Sequence, residues 1–232
     1  MTDDNPDYDL DGFEPAAPCH QDLLEAVESS SYKVLGEQRT GTDAYFVLYD
    51  EGAAWGIPGE PQLAAVHVAR DMKARTFTID STDFPLVAMA ESWLIARGCP
   101  GAVVGPDRYR PADTITHTLE GRIRRDGDRF ALLTSYSDDE RDAPETAVML
   151  RSLTPQAGLE FRILLERVDM TAGTHTLREG GFATYDQATQ WWDAWRDGDA
   201  PPLKPAAPAS SGTAPTTAPV TPAPTAARPP GR

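Results

Sequence analysis

Part of this sequence is written twice. When the chain is shifted by 98 residues, 71–96 falls on 169–194 without a gap. Nine of the 26 aligned pairs are identical, where random composition would give about two. The run Asp71–Ile79 meets Asp169–Leu177, and Phe84, Ala90, Trp93 and Ala96 meet Phe182, Ala188, Trp191 and Ala194. Upstream, 32–35 fits 130–133 at the same offset. Residues 44–47 fit 147–150 if the preceding loop is five residues longer in the second copy, with the compensating residues in 50–61 of the first. Self-similarity at a fixed period signals a duplicated structural unit, so the chain is expected to fold as two related lobes.

Each copy reads as a four-stranded antiparallel meander followed by a C-terminal helix. In the first, apolar and β-branched runs at 32–38, 44–49, 62–69 and 75–80 are separated by Gly, Asp and Pro. Asp71 and Asp169 fall where the third strand turns into the fourth, at a position where an Asp side chain bonds the backbone two residues on. The cluster Ser81–Pro85 predicts the start of a helix that ends at Gly98 before Pro100, and Thr184 opens its counterpart with Gln187 in capping-box spacing. A short helix at 20–29 precedes the first copy. Thr114–Arg124 alternates and predicts an extra strand before the second, joined to the next by Asp126–Asp128. The expected fold is α+β: two tandem pseudo-symmetric lobes, 17–100 and 101–200, packed about a pseudo-twofold axis with a shared core. A lobe of about 90 residues buries too little surface to be comfortable alone.

Composition is uneven along the chain. Residues 1–16 carry six acids and no base, and 201–232 holds ten of the 21 prolines, so both are expected to be disordered tails. The remainder keeps 30 acids against 18 bases, a net charge of −12 within a total of −15. That acidity weighs against non-specific nucleic-acid binding. No window reaches the roughly 18 apolar residues of a membrane helix, the N-terminus lacks an export signal, and two cysteines make no disulfide framework. A cytoplasmic setting and no membrane contact are expected.

No catalytic signature is present: no Gly-x-Ser-x-Gly, no phosphate-binding loop, no dinucleotide fingerprint and no zinc spacing. No catalytic residue, cofactor or metal is assigned; Cys19, His20 and Cys99 read as free thiols and an ordinary histidine. His67, His117 and His175 have Leu165, Cys19 and Phe77 as repeat partners, which reads as packed or half-exposed histidine. Strand-end acids such as Asp50, Glu51, Asp80 and Glu179 are candidates for a carboxylate pair. Partner contacts are expected instead from Trp192 and Trp195, since one helical stripe cannot bury them together with Trp191, and from Trp55 in a turn-rich loop found only in the first copy. Arg122, Arg124 and Arg125, with Arg129, are expected to flank one hairpin, where alternate positions share a face that could meet nucleic acid or an acidic partner.

These features predict a non-catalytic binding protein with a protein partner, in an oligomeric state the sequence leaves open. A glycosidase-like hydrolase with paired carboxylates in an inter-lobe cleft is the alternative. In topology the tandem meander-plus-helix lobes resemble Whirly-type single-strand binders, a resemblance that implies a single-stranded nucleic acid as second alternative.

Overall fold

The computed structural model describes residues 6–53, 59–105, 110–138, 143–156 and 159–203. In chain order the elements are β1 (Glu14–Pro15), α1 (Pro18–Ser29), β2 (Tyr32–Arg39), β3 (Asp43–Asp50), β4 (Leu63–Asp71), β5 (Thr76–Phe84) and α2 (Val87–Ala96). They are followed by β6 (Arg110–Pro111), α3 (Thr114–Asp126), β7 (Phe130–Asp138), β8 (Glu145–Gln156), β9 (Leu159–Asp169), β10 (Thr174–Phe182) and α4 (Tyr185–Arg196). The strands form two five-stranded sheets, β1-β5-β4-β3-β2 and β6-β10-β9-β8-β7. The fold is α+β with two lobes, and the expected meander of four gains a two-residue parallel strand in each copy.

The duplication extends to the register. Val34 and Gly36 flank a bulge in β2, and Leu132 and Thr134 flank one in β7, at an offset of 98. The short parallel pairs put Glu14 opposite Thr76 and Arg110 opposite Thr174. Asp71 Oδ1 accepts the N–H groups of Lys73 and Ala74, and Asp169 Oδ1 those of Thr171 and Ala172. Pairing also corrects the alignment of the second strands: Gly36 faces Val47 and Thr134 faces Met149, so the loop differs by four residues and not five. One residue matters, because a single step along a strand moves a side chain to the other face.

Three further expectations are corrected. Residues 114–126 form a helix, not an extra strand. Asp113 caps it by accepting from Thr116 N, and Thr116, Leu119, Glu120 and Ile123 follow helical spacing toward the sheet. The run Ser81–Phe84 continues β5, and α2 starts only at Val87 without a side-chain cap. Part of the acidic N-terminal segment packs on the first lobe: Tyr8 is buried against Phe46, and Glu14–Pro15 pair with β5. The expected C-terminal tail lies outside the described residues beyond Leu203.

The lobes do not meet about a twofold axis. The first lobe's C-terminal helix, α2, packs on the second lobe's N-terminal helix, α3, while no comparable packing joins α1 to α4 among the described residues. Such a head-to-tail contact uses different surfaces of the two copies. It explains why α2 is apolar all round: Ala90 and Leu94 face sheet 1, and Leu86 and Met89 join the core under sheet 2. The counterparts of Leu86, Met89 and Ser92 on α4 are Thr184, Gln187 and Gln190, all exposed, so the stack ends there.

Glu91, on α2, is fully buried at the junction. Its Oε1 accepts the N–H groups of Val103 and Val104 at 2.9 and 3.0 Å, and its Oε2 pairs with Arg124 Nε of α3 at 2.5 Å. Close approach completes the joint, since a Cβ at Gly127 would lie 2.1 Å from Ser92 Oγ. Glu91→Ala leaves Arg124 and two amides without their acceptor and should cost about 3–5 kcal/mol. Urea unfolding measures it, and a loss below about 1 kcal/mol would show that the clamp contributes no more than a surface ion pair.

Candidate functional site

Between the two sheets lies a cleft of about 670 Å³. Its lower wall is sheet 2, where Ser137, Thr146, Glu166, Val168 and His175 present side chains from four adjacent strands. Its upper wall is sheet 1, with Lys33, Leu35, Tyr49 and Leu63; Glu51 and Gln62 stand at the rim, and Pro85 and Val87 of the α2 entry close one side. The volume is in the range of ordinary ligand pockets.

The first lobe shows what such a surface looks like when filled. By strand register, Arg39, Ala44, Val68, Arg70 and Phe77 of sheet 1 correspond to Ser137, Thr146, Glu166, Val168 and His175 of sheet 2. On sheet 1 this surface is covered by the chain's own residues 7–13. Tyr8 sits in the core with Phe46, Val68 and Phe77. Arg39 Nη2 donates to the Asp7 carbonyl at 2.5 Å, Arg70 pairs with the Asp9 carboxylate, and Arg75 Nε donates to the Gly12 carbonyl at 3.1 Å. The counterpart of Arg75 is Gly173, also in the cleft lining. In the second copy the residues equivalent to 7–8 are Val103 and Val104, drawn off to sheet 1 by Glu91. A Cβ at Gly36 would lie 2.3 Å from the Val103 carbonyl oxygen, which is how closely that segment passes over the β2 bulge.

At the cleft floor the core has changed chemistry. Leu24, Val68 and Phe77 belong to one apolar cluster under α1. Their counterparts are Glu120, Glu166 and His175. His175 Nε2 meets Glu120 Oε1 at 2.7 Å and Glu166 Oε1 at 3.9 Å, and Glu120 Oε2 lies 3.6 Å from Arg124 Nη2. A line of charged groups therefore runs from the junction clamp to the cleft. Burial pushes the Glu166 carboxyl up to about 7, with the Glu120 charge adding and the His175 charge opposing. Burial draws His175 down, but its hydrogen bond to Glu120 and the charges of Glu166 and Glu120 outweigh this, holding it above its usual value.

The expected contact residues are elsewhere. Trp192 and Trp195 are buried in the core between α4 and sheet 2, and Trp191 is buried with them. One stripe suffices because the chain beyond the helix folds back: Trp191 Nε1 donates to the Pro201 carbonyl at 2.8 Å, and Ala200 and Leu203 cover its flank. Arg122, Arg124 and Arg125 lie on a helix and share no strand face. Arg122 pairs with Glu179 at 2.6 Å, Arg124 with Glu91, and Arg125 is exposed. Trp55 lies outside the described residues, although Gly59 of its loop reaches the Tyr136 ring. Of the strand-end acids only Glu51 lines the cleft; Glu179 is held by Arg122 and Arg162, and Asp80 lies near Arg97. His67 pairs with Asp43 at 2.9 Å and stacks on Tyr45, and Cys19 is exposed while Cys99 is buried. Sequence reasoning passed over Glu91, Glu120 and Glu166. The signal that finds the last two is divergence: polar residues where the other copy has core residues.

No family model matches the chain, and no match is found among curated proteins or solved structures.

Glu166 and His175 both hold protons more tightly folded than unfolded. Glu166 therefore contributes a stability term that is present below its unfolded value near 4.5 and is lost as pH rises through about 7. Glu166→Gln, which mimics the protonated acid, should match the parent near pH 4 and exceed it by up to about 3 kcal/mol at pH 8. Urea midpoints at the two pH values measure this; a difference independent of pH would exclude a buried, proton-holding Glu166.

Proposed function

We propose that this protein is a non-catalytic binding module that holds an extended segment of a partner protein in the inter-lobe cleft. One observation carries the reading: the sheet surface that sheet 1 fills with residues 7–13 is, on sheet 2, the wall of a cleft. A surface that takes extended chain in one copy is suited to extended chain in the other, and aliphatic walls beside hydrogen-bonding groups fit a peptide. Two free thiols accord with a reducing compartment, which we include in the proposal as a cytoplasmic setting. No helix among the described residues is long and apolar enough to cross a membrane.

The hydrolase alternative draws on Glu166, an acid that titrates near neutrality beside a histidine. Glu120, however, is held behind His175, and Asp169 Oδ1 accepts two turn amides, so neither stands free beside Glu166 as the second carboxylate that glycoside hydrolysis uses. Single-strand binding loses its cationic face, because Arg122 and Arg124 are spent on carboxylates.

Affinity capture with the full chain and with Thr146→Trp, whose side chain would fill the cleft, separates these readings. The expected result is a stoichiometric protein partner that the filled variant no longer retains. Retention by Thr146→Trp, or turnover of model glycosides by the parent, would overturn the binding reading.

A further inference from the structure

The two copies differ in charge where the guest segment lies, and the difference runs in one direction. On sheet 1 the guest is acidic, Asp7 to Asp11: Arg70 pairs with the Asp9 carboxylate, and Arg39 and Arg75 donate to the guest's backbone carbonyls at Asp7, Asp11 and Gly12. On sheet 2 the three arginines are replaced by Ser137, Val168 and Gly173, so nothing in those positions holds an acidic guest. The apolar floor under Tyr8 has become Glu120, Glu166 and His175. We propose that the cleft takes an extended basic segment, with the cationic head of a lysine or arginine seated on the Glu166 carboxylate where the first lobe buries Tyr8.

This rests on the cleft being a peptide site and adds what the peptide must carry. Glu166 opens into the cleft with 15% of its side chain exposed. Among the described residues the cationic group recorded against it is His175 at 3.9 Å, beyond hydrogen-bond reach, and His175 Nε2 already serves Glu120. A carboxylate held in a largely desolvated wall gains most from a donor that carries positive charge. The route to it is lined by Leu35, Leu63, Val87 and Val168, which suits the methylene stem of a long cationic side chain better than a bare ion. The other cleft acids are placed differently: Asp169 Oδ1 accepts two turn amides, and Glu51 follows β3 of sheet 1.

Binding is linked to protons. The groups facing Glu166 are His175 from β10, Glu120 and Arg124 from α3, Lys33 across the cleft, Glu51 at the rim and Asp169 on its own strand; Thr146 pairs with it on β8. With the empty cleft, Glu166 is half protonated near pH 7, and a docked cation requires the carboxylate. Affinity for a basic segment therefore rises from pH 6 to pH 8. His175 acts in the same direction, since its own charge at low pH repels the guest.

The test uses blocked heptapeptides built on the first lobe's guest, with every Asp replaced by Ala and the position of Tyr8 occupied by lysine or by its uncharged analogue norleucine. The native acidic heptapeptide is the third probe. Titrations of the ¹⁵N-labelled full chain are followed at the amides of Ser137, Thr146, Glu166 and Val168. The expected result is lysine bound about 10–100-fold more tightly than norleucine at pH 8. That preference should shrink at pH 6 and vanish in Glu166→Gln, which retains the norleucine peptide. The acidic peptide should leave these amides unmoved. Equal binding of lysine and norleucine, or a lysine preference that survives Glu166→Gln, overturns the cationic anchor while the peptide cleft stands. If no probe shifts these amides, both fall. The pH arm on the parent chain decides the question even if the variant is poorly folded.

Discussion

A single buried carboxylate organises this molecule. Glu91 gathers two backbone amides from the inter-lobe connection and a guanidinium from the next lobe's first helix. A charge with almost no solvent access is tolerable only when its oxygens are fully used, and here each has a charged or amide donor. The clamp fixes how α2 meets α3. It also determines where the connection goes: Val103 and Val104 are held against the β2 bulge of sheet 1 and cannot fold over sheet 2 as Asp7 and Tyr8 fold over sheet 1.

The cleft follows from that diversion. Two copies of one unit would be expected to cover the same surfaces in the same way, yet one covers its N-terminal face with its own chain and, among the described residues, the other does not. The residues beneath that face differ as well. Three mutually packed apolar positions, Leu24, Val68 and Phe77, have become Glu120, Glu166 and His175, at a cost in polar burial that core packing alone would not incur. The chain Glu91–Arg124–Glu120–His175–Glu166 runs from the joint between the lobes to the cleft.

Much of the architecture was legible because it depends on local pattern. The 98-residue repeat, the Asx turns at Asp71 and Asp169, and the Thr184 cap are short-range chemistry and survive inspection one residue at a time. The helix at 114–126 is hidden behind an alternation that suits a strand, and its Asp113 cap and the helical spacing of Thr116, Leu119, Glu120 and Ile123 gain meaning only from the tertiary contacts they make. The pairing of Ala44 with Ala147 matched identities that lie on opposite faces of their sheets, an error only hydrogen-bond register reveals. Trp191, Trp192 and Trp195 seemed too many for one stripe until Pro201 and Leu203 came back across the helix. His175 was set aside because its repeat partner is Phe77; that mismatch was itself the mark of the site.

By itself the sequence determined that the chain is a duplicated α+β unit with acidic character, because periodicity and turn chemistry act over a few residues. The tertiary structure decided which surface each copy's N-terminal segment covers, which helix lies between two sheets, and which carboxylates lose water. Those outcomes depend on where distant segments compete for the same face. A buried Glu91 contacting residues 12 to 33 positions away is not a pattern in sequence but a result of packing, and the cleft exists because that packing won.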